Sequence, residues 1–320
     1  MRVLLICNNS LSKEQSLLLP QIIQRLSLLG HDISLSLTSG GQEMKEILKK
    51  LSPTKATLVA ACGDDENLNE ALNGLMFNPQ KDKFSLALFP THGESFFAKE
   101  FGITDIDTAL QAVEGKKARL FYPVKVISPF ETHYFGRFLT VGLSGWIHYM
   151  IQKDIDKKKY LSYLFFRLFK NPPSFDVLLK DETFSARMVI VEKAKQSFVP
   201  DEFLPPISEE SQNLTLPLKD NKILSDKKEE LSVFVYEKEG FFKTYWTLLK
   251  FAFQKGMFFP AAFKRKTTHL EIKEVCFKAP SKSFSVQLDG NRKPASSLKI
   301  MPADESVKIL CRLPENLPEK

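Results

Sequence analysis

The first 125 residues alternate between short apolar runs and amphipathic segments, and this alternation limits the possible folds more than any other feature. Val3–Cys7 is an uninterrupted apolar run, typical of a strand buried on both faces. An amphipathic segment follows, with apolar residues at helical spacing as far as Leu29, and then Gly30 at a position that often ends a helix. Repeated strand–helix units predict a parallel sheet with helices on both faces, and such sheets bind ligands at the carboxyl ends of their strands.

The pattern changes after residue 125. Strand-like segments then follow at uneven spacing without alternating helices, which predicts an antiparallel β-sandwich. Two helical segments, Lys159–Lys170 and Gly240–Gly256, and a polar loop over residues 205–230 interrupt these strands. We therefore predict a doubly wound α/β domain over residues 1–125 and a β-sandwich domain with helical insertions over residues 126–320.

The charge of the chain favours anionic partners. Its net charge is +7, which suits nucleotide phosphates, nucleic acid or acidic membranes, although a basic solvated surface is an equally good explanation. Many of the 27 phenylalanines lie beside lysine or arginine in the second half. This pattern fits docking on an anionic bilayer, and it fits equally well a sandwich core or a dimer interface with lysines at its rim. Nucleic acid is disfavoured because the aromatic residues recur at helical spacing.

The four cysteines form no CxxC pair, and each lies in or beside an apolar run. They are Cys7, Cys62, Cys276 and Cys311. We expect buried free thiols in a reducing compartment. No apolar stretch approaches the roughly 20 residues needed to cross a bilayer, and the first residues lack a signal-peptide cleavage pattern. The expectation is a cytoplasmic protein, either soluble or peripheral on the inner face of the membrane.

The segment Leu58–Met76 (LVAACGDDENLNEALNGLM) combines a strand, an acidic turn and a helix. Such a turn can offer backbone N–H groups and a helix N-terminus to phosphates, and an Asp in it can hold Mg²⁺. Acidic residues in the first turn also stabilise the helix dipole without any ligand. From these residues alone, both explanations stay open.

This segment resembles the GGDGT-x-NE-x-x-NGL signature of the diacylglycerol kinase and sphingosine kinase family. Gly63 stands at the first glycine, Asp65 at the aspartate, and Leu68, Asn69, Glu70, Asn73, Gly74 and Leu75 at the positions that follow. Asp64 and Glu66 stand where the family has glycines, and Asn67 replaces the threonine. The resemblance implies that Asp65 organises metal and phosphates. It also implies that Gly63, Asp64, Asn67 and Glu70 belong to the nucleotide site.

A second segment, Pro90–Lys99, resembles the family's P-x-GTGND-FAR motif. Pro90, Phe97 and Ala98 match it, whereas Ser95 and Phe96 stand at its Asn and Asp. By this resemblance Thr91, His92 and Gly93 contact the nucleotide; as an isolated loop residue, His92 would not be assigned a function. Two further positions match the ends of the family's first two strands, Asn8 and Thr38.

Near the end of the chain, Val286–Asn291 (VQLDGN) resembles the family's VQ-x-DGE. The resemblance makes Asp289 the general base for the lipid hydroxyl, whereas Asp-Gly by itself indicates only a hairpin turn. It implies ATP and Mg²⁺ as cofactors, with ATP in the cleft between two domains. The implied function is a kinase that acts on diacylglycerol, a sphingoid base or a related lipid.

Two other readings stay open. The lost glycines fit a catalytically inactive family member that binds lipid or regulates another protein. A sugar or NAD kinase would share the GGDGT-type turn, but the β-sandwich segments argue against it. The oligomeric state and the acceptor lipid do not follow from the residues.

Overall fold

The computed structural model describes residues 1–9, 13–91, 95–136, 138–142, 175–179, 182–193, 203–204, 231–237, 268–278, 284–288 and 291–312. The chain divides into two compact units. The first contains Met1–Pro123, Phe203–Leu204 and the chain from Ala303 onward, and the second contains the other described residues from Val124 to Pro302.

The first unit alternates strands and helices as predicted. Its early strands are β1 (Arg2–Asn8), β2 (Asp32–Thr38), β3 (Leu58–Gly63), β4 (Ser85–Pro90) and β5 (Ala118–Phe121). Its helices are α1 (Lys13–Leu28), α2 (Gly41–Lys49), α3 (Asp65–Met76), α4 (Phe96–Lys99) and α5 (Ile106–Gly115), with a 3₁₀ turn at Lys81–Lys83. All six residues of β3 and all six of β4 are buried, which explains why these strands are continuous apolar runs.

The later strands vary more in length, from two residues to twelve. They are β6 (Val124–Ile127), β7 (Thr132–Phe135), β8 (Phe138–Gly142), β9 (Phe175–Leu179), β10 (Glu182–Lys193), β11 (Phe203–Leu204), β12 (Leu231–Glu237), β13 (Thr268–Ile272), β14 (Val275–Lys278), β15 (Phe284–Leu288), β16 (Asn291–Ala295), β17 (Ser297–Pro302) and β18 (Val307–Leu310). The predicted helices Lys159–Lys170 and Gly240–Gly256 and the predicted loop 205–230 lie outside the described residues.

The first sheet has the strand order β11-β5-β18-β4-β3-β1-β2. The strands β18, β4, β3, β1 and β2 run parallel, and β5 and β11 add antiparallel pairs at one side. The chain leaves β1 for β2 in one direction and then crosses back to β3 in the other. Right-handed crossovers therefore place α1 and α2 on opposite faces, and the strand order reverses between β1 and β3. The predicted doubly wound α/β arrangement is confirmed.

The carboxyl-terminal part of the first sheet differs from the predicted domain limits. We predicted that all of residues 126–320 form the second domain, but β18 lies between β4 and β5 in the first sheet. Val307, Ile309 and Leu310 are buried there. A four-residue strand carries no signal that names its partner, because its pairing with Ser85 and Leu86 spans more than two hundred residues of chain.

The second unit is a set of antiparallel strands, as predicted. Its main path runs β16-β15-β8-β10-β9-β14-β17-β6-β7, and β12 joins β10 to β13. The buried side chains are mostly valine, leucine and phenylalanine, and the rings of Phe175 and Phe277 lie 6.1 Å apart. Lys273 and Glu274 separate β13 from β14.

Candidate functional site

The carboxyl edge of the first sheet holds most of the predicted site residues. Asn8 ends β1 opposite Thr38 at the end of β2, and Gly63 ends β3 opposite Pro90 at the end of β4. Cys7 of β1 lies opposite Cys62 of β3 in the sheet, just before these ends. The reversal in strand order therefore falls between Asn8 and Gly63. Ligands of open α/β sheets bind at this reversal, outside the carboxyl ends of the strands.

Gly63 makes the tight passage from β3 into α3. Its φ of +154° is one that side chains rarely adopt, and a Cβ placed there would lie 2.5 Å from the Cβ of Asn67. Its carbonyl accepts a hydrogen bond of 3.1 Å from the N–H of Thr91, which joins the two motif segments through the backbone. A glycine is therefore required here by the fold itself, whether or not a phosphate lies beside it.

Asp64 is the N-cap of α3. One of its carboxylate oxygens accepts hydrogen bonds from the backbone N–H of Asn67 at 3.0 Å and from the side-chain amide of Asn67 at 2.8 Å. The backbone of Asp64 is extended, with φ −82° and ψ 179°, which any residue adopts. The first turn of α3 thus satisfies one of its own N–H groups with its own carboxylate.

Asp65 begins α3 and is held from the neighbouring loop. The hydroxyl of Ser95 donates a hydrogen bond to its carboxylate, and Ser95 is buried. The Ser95 oxygen also accepts a hydrogen bond from the N–H of Ala98 at 3.0 Å and so caps α4. Sequence reasoning placed Ser95 in the second motif but did not name it as a site residue. A serine directly before a short apolar helix is a signal that could have identified the cap.

Thr38 and Glu70 are both buried. The Thr38 hydroxyl donates to the carbonyl of Cys7 at 3.2 Å, which ties the end of β2 to β1. Glu70 lies in α3, beyond the first turn of the helix. A contact of either side chain with nucleotide stays a prediction.

The remaining predicted site residues are only partly described. His92, Gly93 and Asp289 lie outside the described residues. The strands on either side of Asp289, β15 and β16, pair with each other. Within the described part of the chain, no three His, Cys, Asp or Glu side chains form a metal cluster.

The glycine of the NGL segment has a packing role. A Cβ on Gly74 would lie 2.6 Å from the Cβ of Leu48 and 2.9 Å from the carbonyl oxygen of Lys45. Helices α2 and α3 therefore touch at this point, and only a residue without a side chain lets them approach so closely. The Asn78 side chain further fixes this pair by donating to the carbonyls of Leu48 and Leu51.

Comparison with known proteins identifies this domain. Residues 2–126 match the model of the diacylglycerol kinase catalytic domain. Residues 2–126 of this chain are therefore similar to that catalytic domain. The predicted resemblance is thereby confirmed, and both motif segments lie within the matched residues.

Solved structures support the same fold over the whole chain. A diacylglycerol kinase from Bacillus anthracis strain Sterne is 17% identical, with a TM-score of 0.61, and the match covers 97% of each chain. Two further structures from that strain, provisionally assigned as diacylglycerol kinases, also have TM-scores of 0.61. One is 18% identical, and the match covers 97% of each chain. The other is 17% identical, and the match covers 99% of this chain and 98% of that one. No curated protein is recognisably similar in sequence. At these identities the likeness shows the fold of the chain and nothing further.

Proposed function

We propose that this protein transfers the terminal phosphoryl group of ATP, bound with Mg²⁺, to a lipid hydroxyl. The acceptor would be diacylglycerol, a sphingoid base or a related lipid. The observation that carries the proposal is the match of residues 2–126 to the diacylglycerol kinase catalytic domain. The position of Asp65 in the first turn of α3, at the carboxyl edge of the sheet, supports it.

The residues at this edge fit Mg²⁺ bound together with phosphates. Asp64 and Asp65 provide two neighbouring carboxylates at the start of α3. Magnesium in kinases is typically held by one or two carboxylates plus substrate phosphates rather than by an all-protein cage. When bound, the ion would neutralise charge on the transferred phosphoryl group. The donor set fits a metal-bound nucleotide better than a metal-free one, because two carboxylates would repel bare phosphates.

The chain's own residues would act by positioning. The hydrogen bond from Ser95 fixes the orientation of the Asp65 carboxylate, and Gly63 lets the turn after β3 pass close to the helix. By family resemblance, Asp289 would accept the proton of the lipid hydroxyl. The nucleotide contacts of Asn8, Thr91, His92 and Gly93 belong to the same proposal.

A transfer assay tests the proposal. The purified chain is incubated with labelled ATP, Mg²⁺ and vesicles that contain one candidate lipid each. We expect a labelled phospholipid product from at least one lipid, and its loss with EDTA. Asp65→Asn preserves the side-chain shape and should lower kcat by about 100-fold or more. Asp105→Asn changes the N-cap of α5, a residue outside both motif segments, and serves as the control. A folded chain that phosphorylates no lipid in the panel would contradict the proposal.

A second candidate function is lipid binding or regulation without catalysis. The observation that favours it is the Asp64 carboxylate, which already accepts the Asn67 N–H at the start of α3. Thermal shift with ATP and Mg²⁺ separates the two candidates, because ligand at 100 times its Kd stabilises a protein by about 2.7 kcal/mol. A flat nucleotide response together with lipid binding would favour the non-catalytic function.

We also propose that the protein binds its lipid at an anionic membrane surface. Nucleic acid is not a partner in this proposal. The net charge of +7 supports attraction to acidic lipids. Helices long and apolar enough to cross a bilayer are absent from the described residues. Sedimentation with vesicles tests the proposal: binding should increase with the fraction of phosphatidylglycerol and decrease with salt. Equal binding to neutral vesicles would contradict it.

A further inference from the structure

The carboxylate of Asp64 places a negative charge of the protein itself at the start of α3. The N-terminus of a helix attracts negative charge, because its first N–H groups lack partners within the helix and its dipole is positive there. Here the Asp64 carboxylate supplies a negative charge and accepts one of these N–H groups, that of Asn67, at 3.0 Å. Its hydrogen bond from the Asn67 side chain at 2.8 Å holds the carboxylate in place.

The fold does not require this carboxylate. Asp64 has an extended backbone, and its side chain is exposed at the edge of the sheet. Its neighbour Gly63 has a φ of +154°, and a Cβ there would clash with Asn67. A side chain is therefore excluded at position 63. A glycine at position 64 would be tolerated, because replacing an N-cap Asp with Gly costs little helix stability.

We propose that Asp64 is a built-in competitor for phosphate at the start of α3, and that it makes nucleotide binding depend on a divalent cation. This inference depends on the proposed function, because it concerns the same nucleotide site. A phosphate group approaching the Asn67 N–H must displace the carboxylate or lie beside it as a like charge. A cation between the two anions removes most of that repulsion.

Calorimetric titration of the full chain with ATP tests the inference, once with Mg²⁺ and once with EDTA. Asp64→Gly removes both the charge and the acceptor, and Asp64→Asn removes only the charge. In EDTA we expect Asp64→Gly to bind ATP at least about tenfold more tightly than the wild type, with Asp64→Asn in between. With Mg²⁺ the ratio should shrink to about threefold or less, because the cation screens the carboxylate.

Asp105→Gly is the matched control. Asp105 is the N-cap of α5 and accepts the Thr108 N–H at 2.8 Å, so it has the same role at a helix outside the site. This variant should bind ATP as the wild type does. A gain in affinity for Asp105→Gly equal to that for Asp64→Gly would overturn the inference, since the effect would then come from general loosening of the domain.

The remaining outcomes separate the inference from the proposed function. If Asp64→Gly binds ATP and the wild type does not, the inference is supported while ATP use by the natural chain is contradicted. If the wild type binds ATP and Asp64→Gly binds equally or more weakly in EDTA, the inference is overturned and the proposed function is untouched. If no variant binds ATP, both are overturned, because Asp64 is then not what excludes the nucleotide.

Discussion

The hydroxyl of Ser95 donates a hydrogen bond to the carboxylate of Asp65. Asp65 begins α3, directly after β3, and Ser95 lies after β4. The N–H of Thr91 joins the same two segments by donating to the carbonyl of Gly63. Because Ser95 also caps α4, one buried side chain ties a helix start to an acidic residue of the candidate site. The orientation of Asp65 is therefore set by a residue thirty positions away.

The Ser95 hydroxyl should contribute measurably to stability. Ser95→Ala removes a cap acceptor and a donor to a carboxylate, and we expect the free energy of unfolding to fall by about 1–2 kcal/mol. Ser95→Thr keeps a hydroxyl at the same position and should lose less. Urea denaturation of the three proteins measures the differences, and equal stability of Ser95→Ala and the wild type would show that these hydrogen bonds are not formed.

Gly74 should tolerate no side chain. A methyl group there would press against the Cβ of Leu48 and the backbone of Lys45, so Gly74→Ala should destabilise the first unit by about 1–3 kcal/mol. Gly115, the last residue of α5, has no atom within 4 Å of an added Cβ. Gly115→Ala should leave the free energy of unfolding unchanged or slightly higher. If thermal denaturation ranks the two variants in the opposite order, the close contact of α2 and α3 is wrong.

His31 should make the first unit sensitive to acid. Burial lowers the pKa of its imidazole, and the positive charges of the chain's amino terminus and of Lys116 lower this pKa further. Both ring nitrogens are buried and have no hydrogen-bond partner among the described residues. The unfolded chain therefore binds a proton more readily than the folded chain, so stability is full above about pH 6.5 and falls as the pH decreases through the lowered folded-state pKa.

The slope of that loss is limited to about 1.4 kcal/mol per pH unit for one proton. Denaturation of the wild type and of His31→Phe between pH 7.5 and 5 gives the comparison. The variant should show a flatter pH dependence over this range, because it has no imidazole to protonate. Identical slopes would mean that His31 does not titrate as a buried group.

The thiols should be poorly reactive in the folded protein. Burial raises the pKa of Cys311 to about 11, against the opposing charges of Arg119 and Lys117. Burial and a hydrogen bond with the Cys7 thiol raise the pKa of Cys62 well above its usual range. Cys276 is half-buried, and its pKa is also raised, by burial and by Glu274. A thiol reagent at pH 8 should label the native chain slowly, with Cys276 first, and all four cysteines in denaturant. Rapid labelling of Cys7 or Cys62 in the native state would contradict this order.

Much of the first sheet could be predicted because its signals are local. A strand buried on both faces must be a continuous apolar run, and an amphipathic helix must repeat its apolar residues every three to four positions. The apolar run ending at Gly63 therefore predicted a strand, and the amphipathic segment after it predicted a helix. Gly63 and Gly74 are required for reasons that also act over a few ångströms, namely the turn into α3 and its contact with α2.

By itself the sequence determined the alternation of strands and helices within the first 125 residues, the change of architecture near residue 125 and the resemblance of the first domain to a known family. Only the tertiary structure decided that Val307–Leu310 returns to the first sheet, that Ser95 binds Asp65 and that Asp64 turns its carboxylate onto the Asn67 N–H. Periodicity records what each residue needs from its immediate neighbours. The pairing of distant segments and the direction of a single side chain depend instead on which atoms the completed fold brings within hydrogen-bonding distance.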